Sequence, residues 1–178
     1  NGGLHLPAIA HEAGIDFTLQ DVCDIFHDTP YFVDLKPGGK YVAKDLFEAG
    51  GIPLVMKALL DGGHLHGDCM TVTGRTVAEN LAGVKFNTEQ DVIRPTSNPI
   101  TATGGVVSLR GNLAPDGAIV KVAGLASQRF VGPARVFDNE EACFACVDRR
   151  EYAEGDVLVI RYEGPRGGPG MPEMLTPT

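Results

Sequence analysis

Cys143 and Cys146 stand three residues apart, a spacing at which two thiols can share a metal ion or close a disulfide. A structural zinc site needs four ligands, however, and neither Cys23 nor Cys69 supplies a second close pair. Asp138 reads as a helix cap ahead of them, Glu141 completes an Asp-x-x-Glu capping box, and Ala142 to Val147 are mostly apolar. Positions i and i+3 of a helix share a face, so two small core thiols that face a sheet and bind nothing are expected. His64 and His66 form a second candidate, beside Asp68 and Cys69. In a strand that spacing would project both imidazoles from one side, a geometry able to ligate a metal. The expectation is instead a structural role, or one that orients another group. His5, His11 and His27 fall on helical segments and carry no motif. The third candidate is the stretch Gly164 to Gly170. It lacks the Gly-x-x-x-x-Gly-Lys-Ser/Thr spacing of a phosphate cradle and follows no dinucleotide fingerprint.

The elements that must position these groups divide by period. Leu4, Leu6, Ala8, Ile9 and Ala10 form an apolar cluster that Gly14 stops, the pattern of a helix and its cap. Thr18 starts a second helix with Asp21 as a weak capping partner, Val22, Ile25 and Phe26 on one face, and Pro30 at its end. A turn-rich loop over Asp34 to Lys40 leads to a helix from about Val42 to Ala49, which Gly50-Gly51 breaks. Pro53 suits the first turn of the next helix, whose buried stripe is Leu54, Val55, Ala58 and Leu59. Arg75 to Leu81 is one further short helix. From near residue 95 the period falls to two, with strands over Val106–Leu109, Ala118–Val122, Ala134–Phe137 and Val157–Ile160. That change puts a boundary between a domain over 1–94 and one over 95–178.

Composition narrows the classes. A formal charge of −8 leaves no basic surface for nucleic-acid phosphates. No apolar stretch approaches the roughly 20 residues that cross a bilayer, and Asn1 to Leu6 has no basic region of a signal peptide. Four cysteines are too few for a disulfide-stapled secreted domain, which fits a reducing compartment. Asn1-Gly2-Gly3 opens straight into a helical pattern, and Met171 to Leu175 reads as a helix cut short. An internal piece of a longer protein is therefore expected.

Several stretches, taken in order, resemble the dihydroxy-acid and phosphogluconate dehydratase family. They are Leu35-Lys36-Pro37-Gly38-Gly39-Lys40-Tyr41, Ala49-Gly50-Gly51-Ile52-Pro53, His66-Gly67-Asp68-Cys69-Met70-Thr71-Val72-Thr73-Gly74 and Ile93-Arg94-Pro95. Thr103-Gly104-Gly105, Leu109 to Gly117, Gly132 to Phe137 and Arg161 to Leu175 continue the match across essentially the whole chain. The Tyr162-Glu163-Gly164-Pro165 form and His66-Gly67-Asp68-Cys69 favour the dihydroxy-acid branch over the sugar-acid branches.

The resemblance implies loss of water across C2 and C3 of a 2,3-dihydroxy acid, giving an enol that tautomerises to a 2-oxo acid. It implies an iron–sulfur cluster acting as Lewis acid on the leaving 3-hydroxyl, Mg²⁺ holding the carboxylate and 2-hydroxyl, and a serine alkoxide as base. The family's cluster cysteines, modified lysine and most magnesium carboxylates precede this segment, and its serine follows it. No catalytic or cofactor-binding residue is thus assigned within the chain. The one metal ligand carried over is Glu173, in Gly-Gly-Pro-Gly-Met-Pro-Glu, where a carboxylate beside a tight glycine loop suits a hard cation. Read without the resemblance, Glu173 is an exposed first-turn glutamate meeting a helix dipole. Glu163 is the competing carboxylate.

The expected architecture is α/β, with the helical end of an α/β domain followed by part of a mixed β-barrel-like domain. The expected parent is a hydro-lyase of valine and isoleucine biosynthesis, a homodimer in the cytoplasm or an organelle. It would take a small dihydroxy acid and engage neither nucleic acid nor membrane. A sugar-acid (aldonate) dehydratase of the same family is the enzymatic alternative, and a non-catalytic β-barrel binding module is the alternative from another class.

Overall fold

The computed structural model describes residues 2–125 and 127–164. Its contacts group into two compact units, Gln20–Ala126 and the pair of segments Asn1–Leu19 and Ser127–Thr178. The architecture is mixed α/β.

In the first-named unit, α2 (Leu19–Asp28, which begins one residue ahead of it) is followed by α3 (Ala43–Ala49), α4 (Gly51–Asp61) and α5 (Val77–Leu81). The strand β1 (Val106–Gly111) and its partner β2 (Ala114–Lys121) come next. Gly50 takes φ +130, a conformation that ends α3 and releases α4 in a new direction. The stripe expected on α4 is the one buried: Leu54 and Ala58 fully, Val55 and Leu59 in part. They close on Phe32, Ala49, Val92 and Ile93, and Ile93 has no exposed surface. Burying a side chain such as Leu54 or Ile93 stabilises the fold by about 2 kcal/mol. The segments that bring Phe32 and Ile93 together are held by backbone bonds, Asp34 N–H to the Val92 carbonyl and Arg94 N–H to the Phe32 carbonyl, both 2.9 Å. Gln90 clamps Ile93 from both sides, accepting its N–H and donating to its carbonyl.

Two sequence expectations shift here. Ile25, read as part of the buried face of α2, is exposed; Val22, Cys23 and the half-buried Phe26 form that face. That face keeps the 3,4 spacing with Cys23 in place of Ile25, and at its C-terminal end the Phe26 carbonyl accepts Gly104 N–H at 2.7 Å. The short helix read over Arg75 to Leu81 starts at Val77, because Thr76 caps it in a reciprocal box with Glu79.

The other unit holds α1 (Gly2–Glu12), β3 (Ala134–Phe137), α6 (Glu140–Asp148) and β4 (Val157–Ile160). Gly14, at φ +69, follows α1 as the glycine cap expected there. Strands β3 and β4 run parallel with α6 as their crossover, in the register Ala134 to Val157 through Phe137 to Ile160. Strands β1 and β2 pair antiparallel. Each sheet has two strands among the described residues, too few to close, so the described residues form no barrel. No helix among them is long and apolar enough to cross a membrane.

Candidate functional site

The register of β3 and β4 decides which side chains meet at the start of α6. Phe137 lies opposite Ile160, so residues 138–140 and 161–163 leave the sheet side by side, joined by Arg161 N–H to the Phe137 carbonyl at 2.9 Å. The Arg161 guanidinium then pairs with the Asp138 carboxylate, which holds the arginine above its ordinary pKa. The cap expected at Asp138 is instead Asn139, whose side chain accepts Ala142 N–H at 2.8 Å. Asp and Asn cap equally well, and the arginine that follows β4 takes the aspartate. Glu163 Oε1 accepts Glu140 N–H at 3.0 Å. This carboxylate is therefore engaged through one of its oxygens by the positive end of a helix.

Glu173, the expected magnesium ligand, lies outside the described residues, as do Pro165 to Gly170 of the glycine-rich stretch. Cys143 and Cys146 sit on the buried face of α6, which packs on β3 and β4, as expected of core thiols. Burial pushes the Cys143 thiol up, away from the thiolate that ligates metals, with Cys146 and Glu140 adding to the effect. The Cys146 thiol donates to the Glu151 carbonyl at 3.4 Å. His64 and His66 are exposed and lie on the loop between α4 and α5, not in a strand. Among the described residues, no three His, Cys, Asp or Glu side chains converge as a metal site. The described residues by themselves fit neither Mg²⁺ nor an iron–sulfur cluster.

The loop that carries His66-Gly67-Asp68-Cys69 is organised by backbone. Ala78 N–H bonds to the Gly67 carbonyl at 2.9 Å and Val77 N–H to the Cys69 carbonyl at 3.0 Å. A Cβ on Gly67 would stand 2.9 Å from Leu60 Cδ1 and 3.2 Å from Ala78 Cβ, so the glycine lets this loop lie between two helices.

One polar cluster escaped the sequence reading. Asp91 accepts from Lys40 Nζ at 2.8 Å and from the Tyr41 hydroxyl, while Lys40 stands 4.5 Å from the centre of the Tyr41 ring. The lysine and the tyrosine hold Asp91 below the usual carboxylate range, and Lys40 is raised in return. Lys40-Tyr41 is part of a stretch quoted above, but nothing in the sequence pairs it with a carboxylate fifty residues away. The cluster is exposed and ties the 35–41 turn to the segment that delivers Ile93.

The described residues thus define a mixed α/β protein in which Gly50 ends one helix and Gly67 lets a loop lie between two others. Comparison with known proteins gives it a family. Dihydroxy-acid/6-phosphogluconate dehydratase N-terminal matches residues 1–80, and Dihydroxy-acid/6-phosphogluconate dehydratase C-terminal matches residues 91–178. The chain belongs to the dihydroxy-acid/6-phosphogluconate dehydratase family. It is 71% identical over 178 residues to dihydroxy-acid dehydratase 2 of Mesorhizobium japonicum, aligned over 100% of this chain and 30% of that relative. It is 69% identical over 180 residues to dihydroxy-acid dehydratase of Parvibaculum lavamentivorans, again over the whole chain and 31% of the relative. Dihydroxy-acid dehydratase 2 of Bradyrhizobium diazoefficiens is 68% identical, with the same coverage of 100% and 31%. The chain spans about 30% of the length of these curated relatives.

Proposed function

We propose that this chain is the part of a hydro-lyase that bridges its two family domains, and that the full-length protein dehydrates 2,3-dihydroxy-3-methyl carboxylic acids to 2-oxo acids. The observation that carries the reading is identity of 68–71% along the whole chain to proteins named dihydroxy-acid dehydratase. The reaction removes the C2 proton and the C3 hydroxide, and the resulting enol tautomerises to the 2-oxo acid. In this reading the products feed valine and isoleucine synthesis.

The domain junction is proposed near residue 95, with 1–94 closing the first domain and 95–178 beginning a barrel-like second one. The gap between the two family matches, residues 81–90, ends a few residues ahead of that position and supports a junction in this part of the chain. Glu173 is proposed as this chain's contribution to a Mg²⁺ site, the cluster ligands and the base coming from outside it. The engagement of Glu163 at α6 supports choosing Glu173 over its neighbour. The chain's own described residues supply scaffold: they fasten Glu163, ten positions before Glu173, to the start of α6. A homodimer in the cytoplasm or an organelle, acting on a small acid, completes the reading.

The test is turnover by the purified full-length protein. 2,3-Dihydroxy-3-methylbutanoate should be converted to the 2-oxo acid far faster than a sugar acid such as gluconate. Preference for the sugar acid would move the protein to the aldonate branch, and no turnover of either by metal-replete protein would sink the enzymatic reading.

A further inference from the structure

The unit Gln20–Ala126 exposes an apolar groove of about 260 Å³ between α4 and α5. Ile52, Pro53 and Met56 line it from α4, Val77, Asn80 and Leu81 from α5, and Thr71 from the loop between them. Ile52 is 59% exposed, and the two neighbours of Thr71, Met70 and Val72, are 69% and fully exposed. Apolar groups grouped in this way, unlike isolated ones, mark a surface made for contact.

The polar groups of the same loop are already satisfied. Asn80 Nδ2 donates to Thr71 Oγ1 at 2.8 Å and to Thr73 Oγ1 at 3.0 Å, and the Thr73 hydroxyl bonds to Asn80 Oδ1 at 3.0 Å. Thr71 Oγ1 also donates to the Arg75 carbonyl at 2.8 Å. In water these groups would need no such network, since solvent would serve them equally well. Under a cover, each unpaired group would carry a desolvation penalty, and the closed network removes it. The Met70–Thr76 bridge and the capping box at Thr76 fix the base of the loop, so Val72 is presented on a rigid support.

We propose that this face, Ile52 and Met56 with the loop Met70 to Val72, is the seat of an apolar segment of the full-length protein that lies outside these 178 residues. The relatives carry more than twice as much chain beyond the aligned part as within it, which supplies the occupant. The proposal rests on the reading above only for the existence of that additional chain, not for its reaction.

The test uses the full-length protein. Photolysed diazirine labels side chains in proportion to their exposure, and labelling of the exposed Ile52, Met70 and Val72 is compared between native and urea-unfolded protein. Several-fold weaker labelling in the native protein, unchanged on dilution to monomers, is expected. In a second arm Val72 is replaced by p-benzoylphenylalanine, and mixed ¹⁴N and ¹⁵N protein separates intrachain from interchain cross-links. An intrachain link to a peptide outside the 178 residues supports the proposal. Native labelling as strong as in urea overturns it, as does protection lost on dilution or a link only to a second copy. Dehydratase turnover is followed in parallel, so a protected face in an inactive protein would fail the functional reading and leave this one standing.

Discussion

The Glu163 carboxylate accepts the backbone N–H of Glu140 at 3.0 Å, so the chain leaving β4 is fastened to the first turn of α6. One residue earlier Tyr162 takes φ 67, and before that Arg161 is held by Asp138. Three consecutive residues thereby fix the direction in which the chain enters the stretch ending at Glu173.

Two carboxylates ten residues apart should behave differently. In the full-length enzyme Glu173→Gln should abolish most turnover while leaving the fold intact, a loss of several kcal/mol of transition-state stabilisation, roughly 3. Glu163→Ala should cost about 1 kcal/mol of stability, as a lost helix cap does, and Glu163→Gln less. Urea denaturation and steady-state kinetics on the variants separate the two effects. A dead Glu163→Gln beside a near-normal Glu173→Gln would reverse the assignment.

The 178-residue chain by itself should not turn over 2,3-dihydroxy-3-methylbutanoate, even with iron, sulfide and Mg²⁺ supplied. Its described residues hold no convergent set of metal-ligating side chains. Measurable turnover by the pure chain would contradict this.

Cys143 and Cys146 should react with a thiol reagent only as the protein unfolds, since both are buried. Replacing each with Ala should cost about 1 kcal/mol, as small core truncations do, with no change in metal content. Burial raises the Cys143 pKa above its ordinary 9.0. Its contribution to stability is full below pH 9.0 and is lost as pH rises through the folded value, because the unfolded thiol ionises first. Denaturation between neutral pH and pH 10 should show that fall, and Cys143→Ala should flatten it.

Asp91 should make the Lys40 cluster sensitive to acid. Its folded pKa is depressed, so its contribution is present above the ordinary 3.8 and is lost as pH falls through the folded value. Asp91→Asn should remove that part of the acid sensitivity, and added salt should shrink it in the wild type because the pair is exposed. Unfolding curves collected at two ionic strengths from pH 6 downwards check both expectations.

Gly39 and Gly67 both occur in family motifs, yet alanine should be tolerated unequally. At Gly39 a Cβ would collide with the backbone of Asp34, which cannot give way, and a loss in the upper part of the usual 1–3 kcal/mol for overpacking, about 3, is expected. At Gly67 the nearest atom is the end of the Leu60 side chain, so Gly67→Ala should cost less. Paired thermal melts would overturn the ranking if Gly67→Ala proved the worse.

Much of the local structure was legible in the residues themselves. Gly50-Gly51 had to break a helix, Pro53 could only begin one, and Val157 to Ile160 carried the pattern of a strand, because these depend on φ preferences and on local period. The order of the motifs along the chain was equally legible, and with it the family. Glu173 came from that order alone. Its geometry lies outside the described residues.

What the tertiary structure decided were choices between local equals. Asp138 and Asn139 are both good caps, and the outcome turns on Arg161, which arrives from a strand twenty-three residues later. The helical spacing suits Ile25 and Cys23 equally as neighbours of Val22 and Phe26, and the folded chain buries Cys23 and leaves Ile25 exposed. Lys40 and Asp91 are fifty-one positions apart, and nothing in either stretch names the other. Sequence patterns report the preferences of neighbours a few bonds away, whereas these pairings are set by strand register and core closure, which only the folded chain brings about.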